Sequence, residues 1–110
     1  MGNINAVITG VGGWVPTYIL DNDEMSHIVD TSDEWIMERI GVKTRHILKP
    51  EEGVGTSFMM TKAVRQLLDK TKADPDSIEA VIVATTTPDY HFPSTASLII
   101  GNIGLKNAYG

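Results

Sequence analysis

The 110-residue chain has the composition of one ordinary globular domain, with 42% hydrophobic and 21% charged residues. Nine Lys and Arg residues against 14 Asp and Glu give a net charge of −5. This balance argues against general binding to nucleic acid or to an anionic membrane surface, because both require a cationic field. The lack of cysteine excludes disulfides, thiolate metal sites and a cysteine nucleophile within these residues. No apolar run approaches the roughly 20 residues of a membrane span and no secretory signal is visible, so we expect a cytoplasmic protein.

The first part of the chain predicts a buried strand followed by two short helices. β-Branched residues run into glycines over residues 4–12, which favours a buried strand. Asp21-Asn22 is a helix-start signal before a helix at 23–29. The segment Thr31–Glu34 has the spacing of a capping box, which predicts a second helix with Thr31 as its cap and Gly41 just beyond its end.

The rest of the chain predicts two strands and two helices. Residues 43–48 predict a short strand, and apolar residues at 3–4 spacing predict a helix from the cap Thr56 to about residue 72. Ala80–Ala84 is a continuous apolar run, typical of a central strand covered on both faces. After a polar loop, a last helix is expected over Ser94–Ile103, with Ser94 as its N-cap. Strands alternating with helices indicate an α/β layered fold.

Three groupings in the sequence lack the spacing that their chemistry needs. Gly10–Gly13 follows the first predicted strand, but a dinucleotide-binding loop needs a glycine where Val15 stands. No metal-ligand spacing relates the three histidines, which are His27, His46 and His91. The residue types of a hydrolase triad crowd into six positions without a nucleophile-elbow motif, namely Asp89, His91 and Ser94. We therefore predict no metal site and no cofactor.

A small basic cluster follows the acidic stretch 21–38 and allows two interpretations; it consists of Arg39, Lys43, Arg45 and His46. The first interpretation is a solvated face that offsets the preceding acids, which composition alone favours. The second is a site for a phosphorylated ligand, with Trp35 one helical turn from Arg39. Indole and guanidinium both stack on a base, and arginine also pairs with phosphate, so the pair suits an adenine-containing molecule.

Four segments resemble the N-terminal third of β-ketoacyl-ACP synthase III, the initiating condensing enzyme of bacterial fatty-acid synthesis. They occur in the family's order and spacing over essentially the whole chain: Val29–Ile36 (VDTSDEWI), Arg39–His46 (RIGVKTRH), Ile82–Asp89 (IVATTTPD) and Phe92–Ala96 (FPSTA). The resemblance implies an α/β, thiolase-like α-β-α-β-α layered fold, of which residues 1–110 would form the N-terminal part of the first half. It also implies a homodimer.

The resemblance further implies an acyltransferase that joins an acyl group from acyl-CoA, expected to be acetyl-CoA, to malonyl-ACP with release of CO2. In the family a Cys carries the acyl group, and a His and an Asn stabilise the negative charge that develops during decarboxylation and condensation. None of the three matches a position in this chain, since the family's Cys lies a few residues past the point that matches Gly110. The second half is expected beyond this chain, and the 110 residues alone are expected to be inactive.

Several positions of the family's acyl-CoA site do match. The Trp and Arg that hold the CoA adenine match Trp35 and Arg39, and Thr31 matches another residue near that ligand. The family's neighbouring Thr falls at Ile40, a departure that removes one polar contact. The simpler interpretation of Trp35 is a partly buried core residue. Acyl-CoA is a substrate here, so no cofactor is implied.

Two further matches concern the acyl pocket. Thr86 matches a position beside that pocket, and Phe92 matches the aromatic residue that reaches across the dimer into the partner's pocket. The simpler interpretations are the end of a strand for Thr86 and an anchor of the loop for Phe92.

Two alternatives to this function stay open. One is a related thiolase-superfamily synthase with another starter acyl-CoA or another acceptor. The other is an interaction module without catalysis of its own. The residues that follow Gly110 would separate these possibilities.

Overall fold

The computed structural model describes residues 2–110. Its chain forms two compact units, a small one at Val15–Gly53 and a large one made of the chain up to Trp14 together with Val54–Gly110. No helix in the described part of the chain is long and apolar enough to cross a membrane.

The small unit is a two-stranded sheet with two short helices. Strand β1 (Ile19–Asp21) pairs antiparallel with β2 (Thr44–His46), and Leu20 lies opposite Arg45. Helix α1 (Asn22–Ser26) follows β1 directly, and helix α2 (Asp33–Arg39) precedes β2. Leu20 and Ile36 are the buried apolar side chains of this unit. The predictions of a strand within 43–48 and of two helices are therefore confirmed, although α1 ends before the predicted residue 29.

Helix α2 begins one residue later than the capping box predicts. Ser32 is the N-cap, with extended backbone angles, and its hydroxyl accepts a hydrogen bond from the Trp35 backbone N–H at 3.2 Å. Thr31 therefore lies outside the helix, and its prediction as the cap is wrong. The helix ends as predicted, because Gly41 adopts φ +70°, the left-handed conformation that glycine takes most readily, and donates its N–H to the Ile36 carbonyl.

The large unit is built on two helices, α3 (Thr56–Thr71) and α4 (Thr95–Ile103), which pack against each other. Ile99 of α4 is only 2% exposed and is the largest fully buried side chain. Ser94 caps α4 as predicted, since its hydroxyl accepts from the Ser97 N–H at 3.1 Å. Gly55, and not Thr56, is the N-cap of α3.

Two segments with strand-like sequence are not strands in this structure. Residues 4–12 join no β-ladder, and Ile4 is fully exposed. Ala80–Ala84 makes one isolated parallel bridge, between Ala80 and Tyr109, and its Ile82 is 94% exposed, so the predicted burial on both faces is wrong. The physical reason is that a strand needs hydrogen-bonded neighbours along its length, and the described residues supply only that one bridge.

The N-terminus of α3 binds the loop that precedes α4 through the Asp89 carboxylate. Its Oδ1 accepts from the Ser57 backbone N–H at 2.9 Å, and its Oδ2 accepts from the Ser57 hydroxyl. Thr56 adds a hydrogen bond from its hydroxyl to the Thr87 carbonyl at 2.5 Å. A Cβ on Gly55 would lie 2.8 Å from Asp89 Oδ1, so any larger residue there would displace the carboxylate. Asp89 thus caps a helix more than 30 residues away in sequence, and a carboxylate is favoured at that positive end.

We predict that Asp89→Ala lowers the free energy of unfolding by about 1–2 kcal/mol, the usual cost of removing an N-cap. Chemical denaturation of the protein that carries this segment measures the effect, with Asp76→Ala, at an exposed position of a turn, as the control. Equal stability of the Asp89→Ala variant and the control would show that the carboxylate does not hold the loop.

Candidate functional site

Helix α2 presents an aromatic ring and a guanidinium side by side. Trp35 and Arg39 are four residues apart, which places them on the same face of the helix. The Arg39 Cζ lies 5.5 Å from the centroid of the Trp35 ring, within the range of a cation–π contact. Trp35 is 52% exposed, so about half of a large apolar surface remains open to solvent. The other half is buried, so the interpretation of Trp35 as a partly buried core residue also stays open.

Thr31 lies beside this pair and has an unused hydroxyl. Asp30, Thr31, Ser32 and Trp35 line a cavity of about 410 Å³. The Thr31 Oγ1 is buried and has no hydrogen-bond partner among the described residues. Such a group lacks the hydrogen bond that usually offsets burial, and its residue is one of those that line the cavity. The structure therefore brings together the three residues predicted for the acyl-CoA site, which we call the α2 site: Thr31, Trp35 and Arg39.

The basic cluster predicted from the sequence does not act as one group. Arg45 is half-buried and donates to the Asn22 side chain at 2.9 Å and to the Leu20 carbonyl at 3.4 Å. The His46 Nδ1 lies 2.6 Å from the Pro16 carbonyl oxygen. These two side chains hold the small unit together, whereas Arg39 contacts Trp35. Arg39, Lys43 and His46 are exposed, so the interpretations as a solvated face and as a site for a phosphorylated ligand both stay open for them.

The two predicted acyl-pocket residues belong to the large unit, and Phe92 does not line the cavity that Thr86 lines. Thr86 is exposed and lines an open cavity of about 720 Å³ with Val83, Ala84 and Thr85. Phe92 is 90% exposed. Both lie in the loop that Asp89 binds to α3, and the hydrogen bonds at Thr87 and Asp89 hold the stretch of loop between them.

A groove at the start of α4 was not predicted from the sequence. It has a volume of about 500 Å³ and is mostly apolar, and Val81, Val83, Ala96 and Tyr109 are among its lining residues. Thr95 also lines it, and the Thr95 Oγ1 is buried without a hydrogen-bond partner in the described chain. The only sequence signal for this groove is the apolar run Ala80–Ala84, which predicts burial and not an open groove.

Several residues of the groupings that lack a functional spacing have structural roles. Within residues 2–110 no cluster of His, Asp or Glu could hold a metal ion. Gly10 and Gly12 pack on α3, where an added Cβ would meet the Thr71 side chain at Gly10 and lie 2.8 Å from Leu67 Cβ at Gly12. Asp89 binds to Ser57. Among residues 2–110 one titratable group has a shifted pKa: the hydrogen bond that Tyr18 donates to Glu24 raises the pKa of the phenol, and Tyr18 lies outside the α2 site.

Comparison with known proteins gives a consistent result. Models of protein families yield no match. The chain is 68% identical over 109 residues to a β-ketoacyl-[acyl-carrier-protein] synthase III of Bacteroides thetaiotaomicron, an alignment that covers 99% of this chain and 32% of that protein. Among solved structures, the β-ketoacyl-[acyl-carrier-protein] synthase III of Thermus thermophilus aligns with a TM-score of 0.85 at 41% identity, over 94% of this chain and 32% of that one.

A third similar protein is the priming β-ketosynthase of the R1128 polyketide pathway, with a TM-score of 0.85 and 33% identity over 94% of this chain and 30% of that one. These neighbours confirm the predicted fold class, part of a thiolase-like α/β fold. The chain spans about a third of the length of the relatives that it matches. In sequence and in fold, it belongs to the β-ketoacyl-[acyl-carrier-protein] synthase III family, as a segment of that length.

Proposed function

We propose that these residues form the acyl-CoA-binding part of a β-ketoacyl-ACP synthase III, a transferase that condenses acyl-CoA with malonyl-ACP, releases CO2 and so begins fatty-acid synthesis. The observation that carries the proposal is the α2 site. There Trp35, with a half-exposed indole, and Thr31, with a buried hydroxyl that has no partner among the described residues, line one cavity, and the Arg39 guanidinium lies 5.5 Å from the centroid of the indole.

Each side chain of the α2 site suits a different part of a CoA molecule. The Trp35 ring offers a flat face on which adenine stacks, and the Arg39 guanidinium stacks on a base or pairs with phosphate. The Thr31 hydroxyl can donate to or accept from a ring nitrogen or a ribose oxygen. Ile40, which is exposed, offers an apolar contact where a polar one is expected in the family.

The bond-making chemistry belongs to residues outside this segment. The 110 residues contain no Cys, so no thiolate within them can take up the acyl group. We therefore propose that the nucleophile and its His and Asn partners come from the rest of a longer, cytoplasmic chain, and that the segment alone is inactive. The strand-like residues 4–12 and 80–84 support this, because they lack the hydrogen-bonded neighbours that a longer chain would supply.

The loop that carries Thr86 and Phe92 is proposed as the wall of the acyl pocket. An aromatic ring that is 90% exposed leaves a large apolar surface in water, which burial in a partner subunit would remove. In this proposal the synthase is a homodimer, Phe92 fills the partner's pocket, and Thr86 lies beside the pocket of its own subunit.

A synthase with another starter or acceptor is the second candidate. The structural similarity to the priming ketosynthase of a polyketide pathway favours it, because that protein aligns as well as the synthase of Thermus thermophilus does. The identity of 68% to a β-ketoacyl-ACP synthase III favours the first candidate. A non-catalytic interaction module has no comparable observation in its support.

We predict that Trp35→Ala, in the full-length synthase that carries this segment, raises the KM for acyl-CoA. Loss of a stacked base costs about 1–2 kcal/mol, which corresponds to a rise of roughly 5- to 30-fold. Steady-state kinetics with acetyl-CoA measure the change, and the KM for malonyl-ACP should stay constant.

Glu38→Ala is the matched control for this measurement, because Glu38 is an exposed residue of the same helix. Arg39→Ala should also raise the KM for acyl-CoA, as Trp35→Ala does. An unchanged acyl-CoA KM in both variants would remove the assignment of the α2 site.

We also predict that Phe92→Thr shifts the starter preference of the full-length dimer towards longer or branched acyl-CoA. Removal of the ring opens volume that a close-packed pocket otherwise denies, and one or two methylenes change selectivity by roughly tenfold or more. Competition between acyl-CoA substrates of different length measures the ratio. Phe92→Tyr keeps the ring and should keep the preference, whereas an equal ratio in Phe92→Thr and in the unaltered enzyme would contradict the role.

A further inference from the structure

A single buried amide connects the elements around the α2 site. Asn22, the first residue of α1, is 3% exposed. Its Nδ2 donates to Asp33 Oδ1 at 2.7 Å and to the Val42 carbonyl at 2.9 Å. Its Oδ1 accepts from Arg45 Nη2 at 2.9 Å. Both amide hydrogens and one acceptor position are therefore used, as burial of an amide requires.

The two bonds that Nδ2 donates lie on either side of α2. Asp33 is the first residue of that helix, and Val42 follows its end by three residues. Trp35 and Arg39 lie between these two points. One side chain thus binds the Asp33 side chain before Trp35 and the Val42 backbone after Arg39, and the Arg45 contact ties the same side chain to β2.

The contacts require an amide in particular. Asp33 is an acceptor when ionised, the Val42 carbonyl is an acceptor, and the Arg45 guanidinium is a donor. Only a side chain with two N–H donors and a carbonyl can serve all three. Aspartate at position 22 would replace the two N–H donors by a carboxylate oxygen, which cannot donate to the Asp33 carboxylate or to the Val42 carbonyl. The carboxylates of residues 22 and 33 would also repel each other at that distance.

We propose that Asn22 is a positioning residue for acyl-CoA binding, which acts by holding both ends of α2 so that Trp35 and Arg39 keep their relative geometry. This proposal rests on the proposed function of the α2 site. Asn22 itself touches no substrate in it. Its effect is therefore on the affinity for acyl-CoA, and not on the transfer chemistry.

The test is Asn22→Asp in the full-length synthase that carries this segment. We expect the KM for acyl-CoA to rise about five- to tenfold, because charge-assisted hydrogen bonds that hold the site are lost. The kcat and the KM for malonyl-ACP should stay nearly constant. Asp23→Asn, the reverse exchange at the neighbouring exposed residue, is the matched control.

A charge-swap variant separates positioning from general damage. In Asn22→Asp/Asp33→Asn, an amide at position 33 can donate to the carboxylate at position 22, which still accepts from Arg45. The acyl-CoA KM should return most of the way to the unaltered value, with only the Val42 bond missing. Rescue of thermal stability without rescue of this KM, or an unchanged KM in Asn22→Asp, would overturn the proposal.

Two parallel measurements keep the outcomes distinct. If Asn22→Asp does not fold, Asp33→Ala removes one end of the connection and should still raise the acyl-CoA KM; an unchanged KM there contradicts the proposal. Trp35→Ala is measured beside these variants. If Trp35→Ala leaves the KM unchanged, the α2 site itself is wrong, whereas an effect of Trp35→Ala with none from the Asn22 and Asp33 variants rejects the positioning role alone.

Discussion

A seven-residue helix has almost no stability of its own in water, because helix nucleation is costly and few hydrogen bonds follow it. Helix α2 has this length and carries the exposed Trp35–Arg39 pair. Its geometry therefore depends on contacts outside the helix. Ser32 caps its start, Ile36 is buried beneath it, and the buried amide of Asn22 binds its first residue and the segment that follows it.

This arrangement explains how an apolar ring can remain open to solvent on a short helix. The buried face of α2 is small, so little apolar area is available to fix the position of the helix. The polar contacts of Asn22 supply directional bonds that fix it. An amide suits this position because it is neutral and joins an acidic and a basic side chain without burying a charge of its own. The Trp35 face is then free for a ligand, and the Thr31 hydroxyl lies beside it.

Some helix ends and the spacing within helices are the features that the sequence predicts, although the caps of α2 and α3 differ from the predicted residues. Ser94 and Gly41 act at the predicted positions because capping depends on local backbone and side-chain chemistry. Trp35 and Arg39 meet because residues four apart share a helix face. Thr31 and Ser32 are both good caps, so local chemistry does not decide between them, and Ser32 takes the position.

Contacts between residues that are distant in the chain are the features that the sequence does not predict. The strand-like runs 4–12 and 80–84 need neighbours, and their composition says nothing of whether those neighbours are present. Asp89 has the residue type of a triad member, yet it caps α3 from more than 30 residues away. Asn22 is visible only as a helix-start residue, since its partners Asp33, Val42 and Arg45 are recognised only after the chain has folded.

The most direct test of this account is a crystal structure of the full-length synthase that carries this segment, with CoA bound. The account predicts that the adenine stacks on the Trp35 indole, that the Arg39 guanidinium contacts the base or its phosphates, and that Thr31 Oγ1 lies within hydrogen-bond distance of the ligand. Well-defined density for CoA with its adenine away from α2 would contradict it.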